Sequence, residues 1–426
     1  MRAARWAARR SGDAPLSVFT PSHTPRYLTD CYASLVGQTH TDWEWIVLLN
    51  GDAPNWRPAA ADARVKVKRA KELAGVGAVK AKACEAATGG VLVELDHDDV
   101  LLPDCLAGID GAFAEHPDAT LVYSDFSRVN EDLSPNDERF GSAFGWTYAI
   151  EEQGGQSYTR CHAMAPYPHN VGYIWYAPNH VRAFRTEAYR AVGGYDRTLT
   201  VLDDQELMMR LFLAGDFVHI DRLLYLQRLH AANTQRDPEL NPFIQAQTAT
   251  YYREHCEALQ AAWCRRRGLR ILGLRTPTSP DLATIEDEEV QLLDPGNPVL
   301  DAADDSVGLI RCIELLQRIP DRAALLNECY RVAVHGAVQR TSTPSTDGRG
   351  AFQDPSHVAF YNENSFWYLT QAERRSSIPN LRARLQVGFL GTLFPNDFYR
   401  DTNVPFVEAF LLVVKDGPRL GGPLLS

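Results

Sequence analysis

The chain has 426 residues, 45% hydrophobic and 23% charged, with 29 glycines and 25 prolines, which excludes a disordered, collagen-like or low-complexity chain. Its net charge of −11 argues against a nucleic-acid-polymer binder, because that class needs a basic excess to displace counterions from phosphates. At roughly 100–200 residues per domain, the length allows two or three domains.

No apolar run reaches the roughly 18 residues of a membrane span; the candidates at 387–394 and 409–414 are far shorter. Arg2, Arg5, Arg9 and Arg10 precede no apolar stretch, so a signal peptide is not expected. Arg2, Arg5 and Arg9 could share a helical face against lipid headgroups, or simply form a frayed, solvated end. The eight cysteines are scattered without a Cys-x-x-Cys pair, which suggests reduced thiols and a cytoplasmic location.

In chain order, 16–20 reads as a short apolar strand. Thr24-Pro25 then supplies an N-cap and first-turn proline for a helix to about Gly37. Strands follow at 43–49, stopped by Asn50-Gly51-Asp52, and at 65–69. An Ala-rich helix at 76–87 ends at Gly89-Gly90, and the strand 91–95 runs directly into Asp96-His97-Asp98-Asp99. A fifth strand is expected at 119–123. From 136 to 179 the composition turns to Gly, Tyr, Pro, His and Trp without periodicity, the mark of a functional loop. A helix ends at Gly193-Gly194, another spans 203–213, and a strand ends at His230. The segment 241–267 reads as a helical bridge. After Gly268 a second α/β pattern begins, with a strand at 269–274, a helix at 325–332, a turn at Gly336 and an aromatic-rich block at 351–370.

The chemistry concentrates at three places. Asp96 and Asp98 follow apolar strand positions, where open α/β sheets bind ligands beyond the carboxyl ends of their strands. Clustered carboxylates need a counter-charge, and a hard divalent cation holding a diphosphate supplies one; a plain polar turn is the alternative. A calcium loop is excluded, because Leu101 and Ala107 stand where it needs Gly and Glu. Asp203 and Asp204 start a helix, where they either complement its dipole or offer a general base. His230 is structural or a ligand, and Lys80 and Lys82 are solvated or meet phosphate charge.

The order of these features resembles the family 2 glycosyltransferases of GT-A fold. The resemblance spans about 14–236 and rests on Ser17-Val18-Phe19-Thr20-Pro21-Ser22-His23, Gln38-Thr39-His40-Thr41-Asp42-Trp43-Glu44-Trp45, the D-x-D-D cluster, Phe184-Arg185 before Gly193-Gly194-Tyr195-Asp196, the D-D-x-E-L-x-x-R helix and His230. It implies a GT-A nucleotide-sugar domain with a mixed, mostly parallel sheet over 14–240. Thr20, Pro21 and His23 would line the nucleotide pocket, and Asp96 would contact the ribose. Asp98 would bind Mn²⁺ or Mg²⁺, and His230 would add a metal or phosphate contact. Asp204 matches the catalytic base, with Asp203 as fallback. Where the family has Asp-Asp-Gly-Ser, this chain has Leu49-Asn50-Gly51-Asp52, so Asn50 would read the base. Lys80-Ala81 replaces the usual Arg-Asn, keeping the charge. The implied reaction is an inverting transfer from a nucleotide-sugar donor, a UDP-sugar first, to an acceptor glycan, peptide or small metabolite. Trp175 and Tyr176 are acceptor-side candidates, since sugar rings stack on aromatic faces.

The second half, 268–426, resembles a class I S-adenosylmethionine methyltransferase, a Rossmann-like α/β domain. The resemblance rests on Asp305-Ser306-Val307-Gly308-Leu309-Ile310, Asn327-Glu328-Cys329-Tyr330-Arg331-Val332, Thr343-Pro344, the 347–357 stretch and Asn362-Glu363-Asn364-Ser365-Phe366-Trp367-Tyr368. Such enzymes need glycines after the first strand to let backbone approach the cofactor. Here Gly273-Leu274-Arg275-Thr276-Pro277-Thr278-Ser279-Pro280 has one, and Ala333-Val334-His335-Gly336-Ala337 stands where Pro-Gly-Gly is expected. Bound S-adenosylmethionine is therefore not expected. A domain that shapes the acceptor site or associates as a homo-oligomer is expected instead. A bifunctional glycosyl- and methyltransferase and a non-catalytic binding module of the same fold remain the alternatives.

Overall fold

The computed structural model describes residues 6, 14–231, 233, 237–280 and 282–423. Arg2, Arg5, Arg9 and Arg10 lie outside the described residues. The chain divides into two compact units. The first holds the described residues up to Ser142 with Trp146–Pro166 and Asn170–Tyr251, and the second Ala143–Gly145, Tyr167–His169 and the described residues from Tyr252 onward.

In the first unit β1 (Leu16–Ser22), α1 (Leu28–Val36), β2 (Trp43–Asn50), β3 (Val65–Ala70), α2 (Val76–Cys84) and β4 (Val91–Glu94) alternate as the sequence suggests. Strands β1, β2 and β4 are buried along nearly their whole length, as near-continuous apolar runs in a parallel sheet should be. Helix α1 begins at Leu28, not at Thr24-Pro25. Ser22 Oγ donates to the Thr24 carbonyl at 2.5 Å and the Pro25 carbonyl accepts from Leu28, so these residues form the turn before the helix.

The chain continues through β5 (Val100–Leu101), α3 (Cys105–Glu115) and β6 (Ala119–Val129), which runs well beyond the expected Tyr123. The presumed loop at 136–179 contains a hairpin, β7 (Thr147–Gln153) and β8 (Gln156–His162), and the short α4 (Pro168–Gly172). Gly154 and Gly155, at φ 60° and 80°, make its two-residue turn, where paired positive φ matches the strand twist. Then come β9 (Arg182–Arg185), α5 (Thr186–Ala191), α6 (Asp203–Ala214) and β10 (Asp216–Arg228). The sheet order is β3-β2-β1-β4-β9-β6-β10-β5. Parallel pairs β3/β2/β1/β4 and β6/β10 are joined by β9, antiparallel to both β4 and β6, so the sheet is mixed. Helix α7 (Leu240–Arg267) is continuous, and the division between the units falls within it.

The second unit has a six-stranded sheet of order β12-β11-β13-β14-β16-β15, from β11 (Arg270–Arg275), β12 (Glu288–Leu292), β13 (Val307–Ile313), β14 (Ala333–Pro344), β15 (Leu385–Leu393) and β16 (Phe406–Val413). The first four strands are parallel and the last two antiparallel to their neighbours. Helix α8 (Arg322–Val332) is capped by Asp321, whose side chain accepts from Ala324 N–H. Gly336 is no turn. It sits at φ 79° within β14, where the pairing jumps from Val307↔Ala333 to Leu309↔Val338, so it makes a bulge. Part of the aromatic block is core: Asn362 and Ser365 form a capping box for the helix Glu363–Thr370, which buries Phe366 and Leu369. Phe352 and Phe360 stay exposed.

Among the described residues no helix is long and apolar enough to cross a membrane.

Glu44 ties three strands at the far end of the first sheet. It accepts from Ser17 Oγ at 2.5 Å, Thr88 N at 2.6 Å and Thr88 Oγ1 at 2.9 Å, and pairs with Lys66. Burial pushes its carboxyl up, but these donors win and hold it at about 2. A carboxyl held below its ordinary value stabilises the fold above about pH 4.5, and that contribution is lost as pH falls towards 2. Glu44→Gln should cost about 2 kcal/mol in chemical denaturation at pH 7. Its deficit against the wild type should shrink as the pH falls from 4.5 to 2, and a constant deficit would contradict this account.

Candidate active site

A cavity of about 860 Å³ opens in the first unit beyond the carboxyl ends of β1, β2 and β4. Pro21 and His23 line it at the end of β1, Asn50 at the end of β2, and Asp96 and Asp98 after β4. Lys80, Trp175, Asp203, Asp204 and His230 complete the expected set, brought together from four further segments. Thr20 and Tyr176 do not line it. Thr20 is fully buried and its hydroxyl accepts from the Trp45 indole at 2.8 Å, while Tyr176 packs against the core. The strand alternation that turns Pro21 to the cavity turns Thr20 to the sheet interior.

The acidic turn is held from beneath. Asp99 is buried, accepting from the Tyr225 hydroxyl at 2.8 Å and from Arg228 N at 2.7 Å. Burial, with Asp98 and Asp96 beside it, pushes its carboxyl well up. The Arg228 side chain donates to the Asp98 carbonyl at 2.6 Å and to Asp30 at 2.8 Å, and lies 4.4 Å from the centre of the Tyr27 ring. Tyr27 in turn stacks on His230. This fixes Asp98 Oδ2 at 2.8 Å from His230 Nε2, and Asp96 Oδ2 at 3.4 Å from His180 Nε2.

One oxygen each of Asp96, Asp98 and Asp99 lies within 4.8 Å of the others. Both Asp99 oxygens already serve protein donors. That leaves the carboxylates of Asp96 and Asp98 and the His230 imidazole lining the cavity at this turn. His23 packs edge-on to His97 at 4.8 Å, and burial lowers its pKa, so the neutral ring faces this turn.

Across the cavity, α6 starts with Asp203 and Asp204 after Leu202, whose φ of 58° turns the chain sharply into the helix. The two carboxylates are tied to β4 by buried ions. Glu94 is fully buried, with Lys80 Nζ at 2.7 Å and Arg182 Nε at 2.9 Å. Lys80 reaches Asp203 Oδ2 at 3.0 Å, and Arg182 donates to Asp204 Oδ2 at 2.8 Å and to His180 Nε2 at 2.7 Å.

Burial favours the neutral form of all three carboxyls, and the cations decide the outcome differently for each. Arg182 and Lys80 outweigh it at Glu94, which stays well below its ordinary value, and at Asp204, which is also lowered. At Asp203 burial prevails over Lys80 and raises the carboxyl to about 6. Access differs too: the Asp204 side chain is 23% exposed and that of Asp203 only 5%.

Lys80 lines the cavity with its ammonium buried against Glu94 and Asp203, whereas Lys82 pairs with Glu85 at the surface. Asn50 lines the cavity but donates to the Leu73 carbonyl at 3.1 Å and accepts from Leu73 N at 2.9 Å, so it mainly holds the loop before α2. Glu94, Arg182, Tyr225 and Arg228 escaped the sequence reading. One signal was present for Glu94: a charged residue inside the apolar run 91–95 must find a buried partner.

Residues 17–174 match the family model described as Glycosyl transferase family 2, so the first unit carries a glycosyltransferase family 2 domain. The chain is also similar to two curated proteins. It is 21% identical over 224 residues to a chondroitin synthase of Escherichia coli, covering 51% of this chain and 29% of that protein. It is 22% identical over 225 residues to a hyaluronan synthase of Pasteurella multocida, covering 51% of this chain and 21% of that one. The chain thus spans less than a third of the length of these relatives. Among solved structures, S. aureus TarS 1-349 in complex with UDP-GlcNAc shares 15% identity at a TM-score of 0.40, over 60% of this chain and 73% of that one.

The raised Asp203 carboxyl makes a signed prediction. A folded value near 6 against an ordinary 3.8 means this group favours the folded state below about pH 4, an advantage lost as the pH rises through 6. The Tm of Asp203→Asn minus that of the wild type should therefore rise from pH 4 to pH 7. A flat or falling difference would show that Lys80 keeps Asp203 ionised throughout.

Proposed function

We propose that this chain is a metal-dependent, inverting glycosyltransferase that moves a sugar from a nucleotide-sugar donor, a UDP-sugar first, to an acceptor hydroxyl. The observation that carries the reading is the single cavity with a ligand pair, Asp98 and His230, on one wall and a partly exposed, ionised Asp204 on another. A divalent cation held by Asp98 and His230, when bound, neutralises the leaving diphosphate.

The protein's own groups do the rest. Pro21 and His23 border the nucleotide, and Asp96 is the ribose contact. Asp204 accepts the acceptor's hydroxyl proton as that oxygen bonds to the anomeric carbon and the bond to the diphosphate breaks; one displacement from the opposite face inverts configuration. The value near 6 would make Asp203 the better-matched base, but it is buried against Lys80. A base must first reach its proton, so access decides for Asp204. Trp175 offers an aromatic face on the acceptor side, and the relatives' names, chondroitin and hyaluronan synthase, point to a glycan as acceptor.

For the second unit we propose a methyltransferase-like domain without the cofactor. Four parallel strands support the fold. The residues present do not fit S-adenosylmethionine: Gly273 serves to seat Glu288, whose carboxylate lies 1.8 Å from where a Cβ would stand, and two prolines occupy the loop that follows.

UDP with Mn²⁺ should raise the Tm by several degrees, and Asp98→Ala should abolish the shift. No stabilisation by any nucleoside diphosphate with any divalent ion would overturn the reading. Asp204→Asn should keep that shift and lose turnover by at least about a hundredfold; unchanged turnover would move the base elsewhere. Calorimetric titration with S-adenosylmethionine should show no binding heat, and a saturable isotherm would restore the bifunctional alternative.

A further inference from the structure

We propose that Glu94 is a positioning residue of the transfer reaction, anchoring from the strand of the acidic turn the two buried cations that hold Asp203 and Asp204. The inference rests on the glycosyltransferase reading of this site. Glu94 and Asp96 are two residues apart at the end of β4, so they share a face of the extended chain. Asp96 reaches towards the donor side of the cavity while Glu94 reaches below it.

The groups facing Asp203 and Asp204 are Lys80 from α2, Glu94 from β4, Arg182 from β9, the neighbouring His180, and Tyr195, whose ring centre lies 5.4 Å from Lys80 Nζ. Three carboxylates therefore share two cations. Each cation bridges Glu94 and one helix carboxylate, which fixes the start of α6 against β4 and divides the positive charge.

Without the Glu94 charge, Lys80 and Arg182 would spend themselves wholly on Asp203 and Asp204. The carboxylate that takes the proton would become a weaker base, while the nucleotide contacts of Pro21, His23 and Asp96 would stay. Both helix carboxylates need this arrangement: an isolated acidic pair at a helix start has no reason to recruit a third, fully buried acid.

The test is nucleoside diphosphate release by the full chain from the sugar nucleotide that the wild type turns over, with Mn²⁺ at pH 7, with kcat counted per folded molecule. Glu94→Gln should lower kcat by at least about tenfold and leave the donor KM within about twofold. A purely structural loss would lower Tm and the active fraction but leave kcat per folded molecule in place. Glu94→Asp keeps the charge on a shorter stem. It should show a smaller fall in kcat than Glu94→Gln, and it carries the test alone if Glu94→Gln does not fold. A wild-type enzyme that turns over no sugar nucleotide overturns the reading of the site and this role with it. Turnover by the wild type with Glu94→Gln equal to it in kcat per folded molecule, or with Glu94→Asp equal to wild type in kcat, overturns the role of Glu94 alone.

Discussion

The cavity depends on neutralising clustered negative charge in a place with little water. Six carboxylates, Glu94, Asp96, Asp98, Asp99, Asp203 and Asp204, converge on one end of a sheet. Left unpaired, each buried member would take up a proton or unfold its surroundings. Two buried cations, Lys80 and Arg182, meet Glu94, Asp203 and Asp204, while Arg228 holds the acidic turn by hydrogen bonds to the Asp98 carbonyl and, from its own backbone N–H, to Asp99. Removing one partner of a buried pair typically costs about 3–5 kcal/mol, so stability and site geometry are enforced by the same contacts.

That arrangement also separates the roles of chemically identical side chains. Asp203 and Asp204 are adjacent, yet one is raised and buried while the other is lowered and partly exposed. The difference is set by which cation each meets. On the opposite wall, Asp99 is consumed by Tyr225 and the Arg228 backbone, which leaves Asp98 and His230 lining the cavity. Environment, and not residue type, assigns the work.

The second unit shows the same economy with a different outcome. Its parallel strands and its helix α8 could frame a crevice, but the glycine of β11 is spent on packing the Glu288 carboxylate, which also pairs with Arg311. A half-buried ionic seam through Glu257, Arg311 and Arg340 stitches this sheet to α7. The exposed Phe352, in the short helix Gly350–Gln353, and Phe360 stack at 5.0 Å outside that seam.

Much of this was legible along the chain. Apolar runs marked β1, β2 and β4, and the Asp-rich turn and the Asp203-Asp204 helix start announced where chemistry would gather, because strand ends and helix starts are local features. The Gly154-Gly155 hairpin was equally local and was hidden only by the irregular composition around it. What the sequence alone determined is the inventory: two α/β patterns, an acidic turn, a candidate base and a weakened glycine loop. Only the tertiary structure decided that Thr20 faces the core, that Asn50 is held by Leu73, that Lys80 is buried, and that Arg182 and Arg228 are the site's cations. The reason is physical. Strand and helix signals repeat over a few residues, whereas charge compensation joins residues 80, 94, 182 and 204, which meet only when β9 is inserted beside β4.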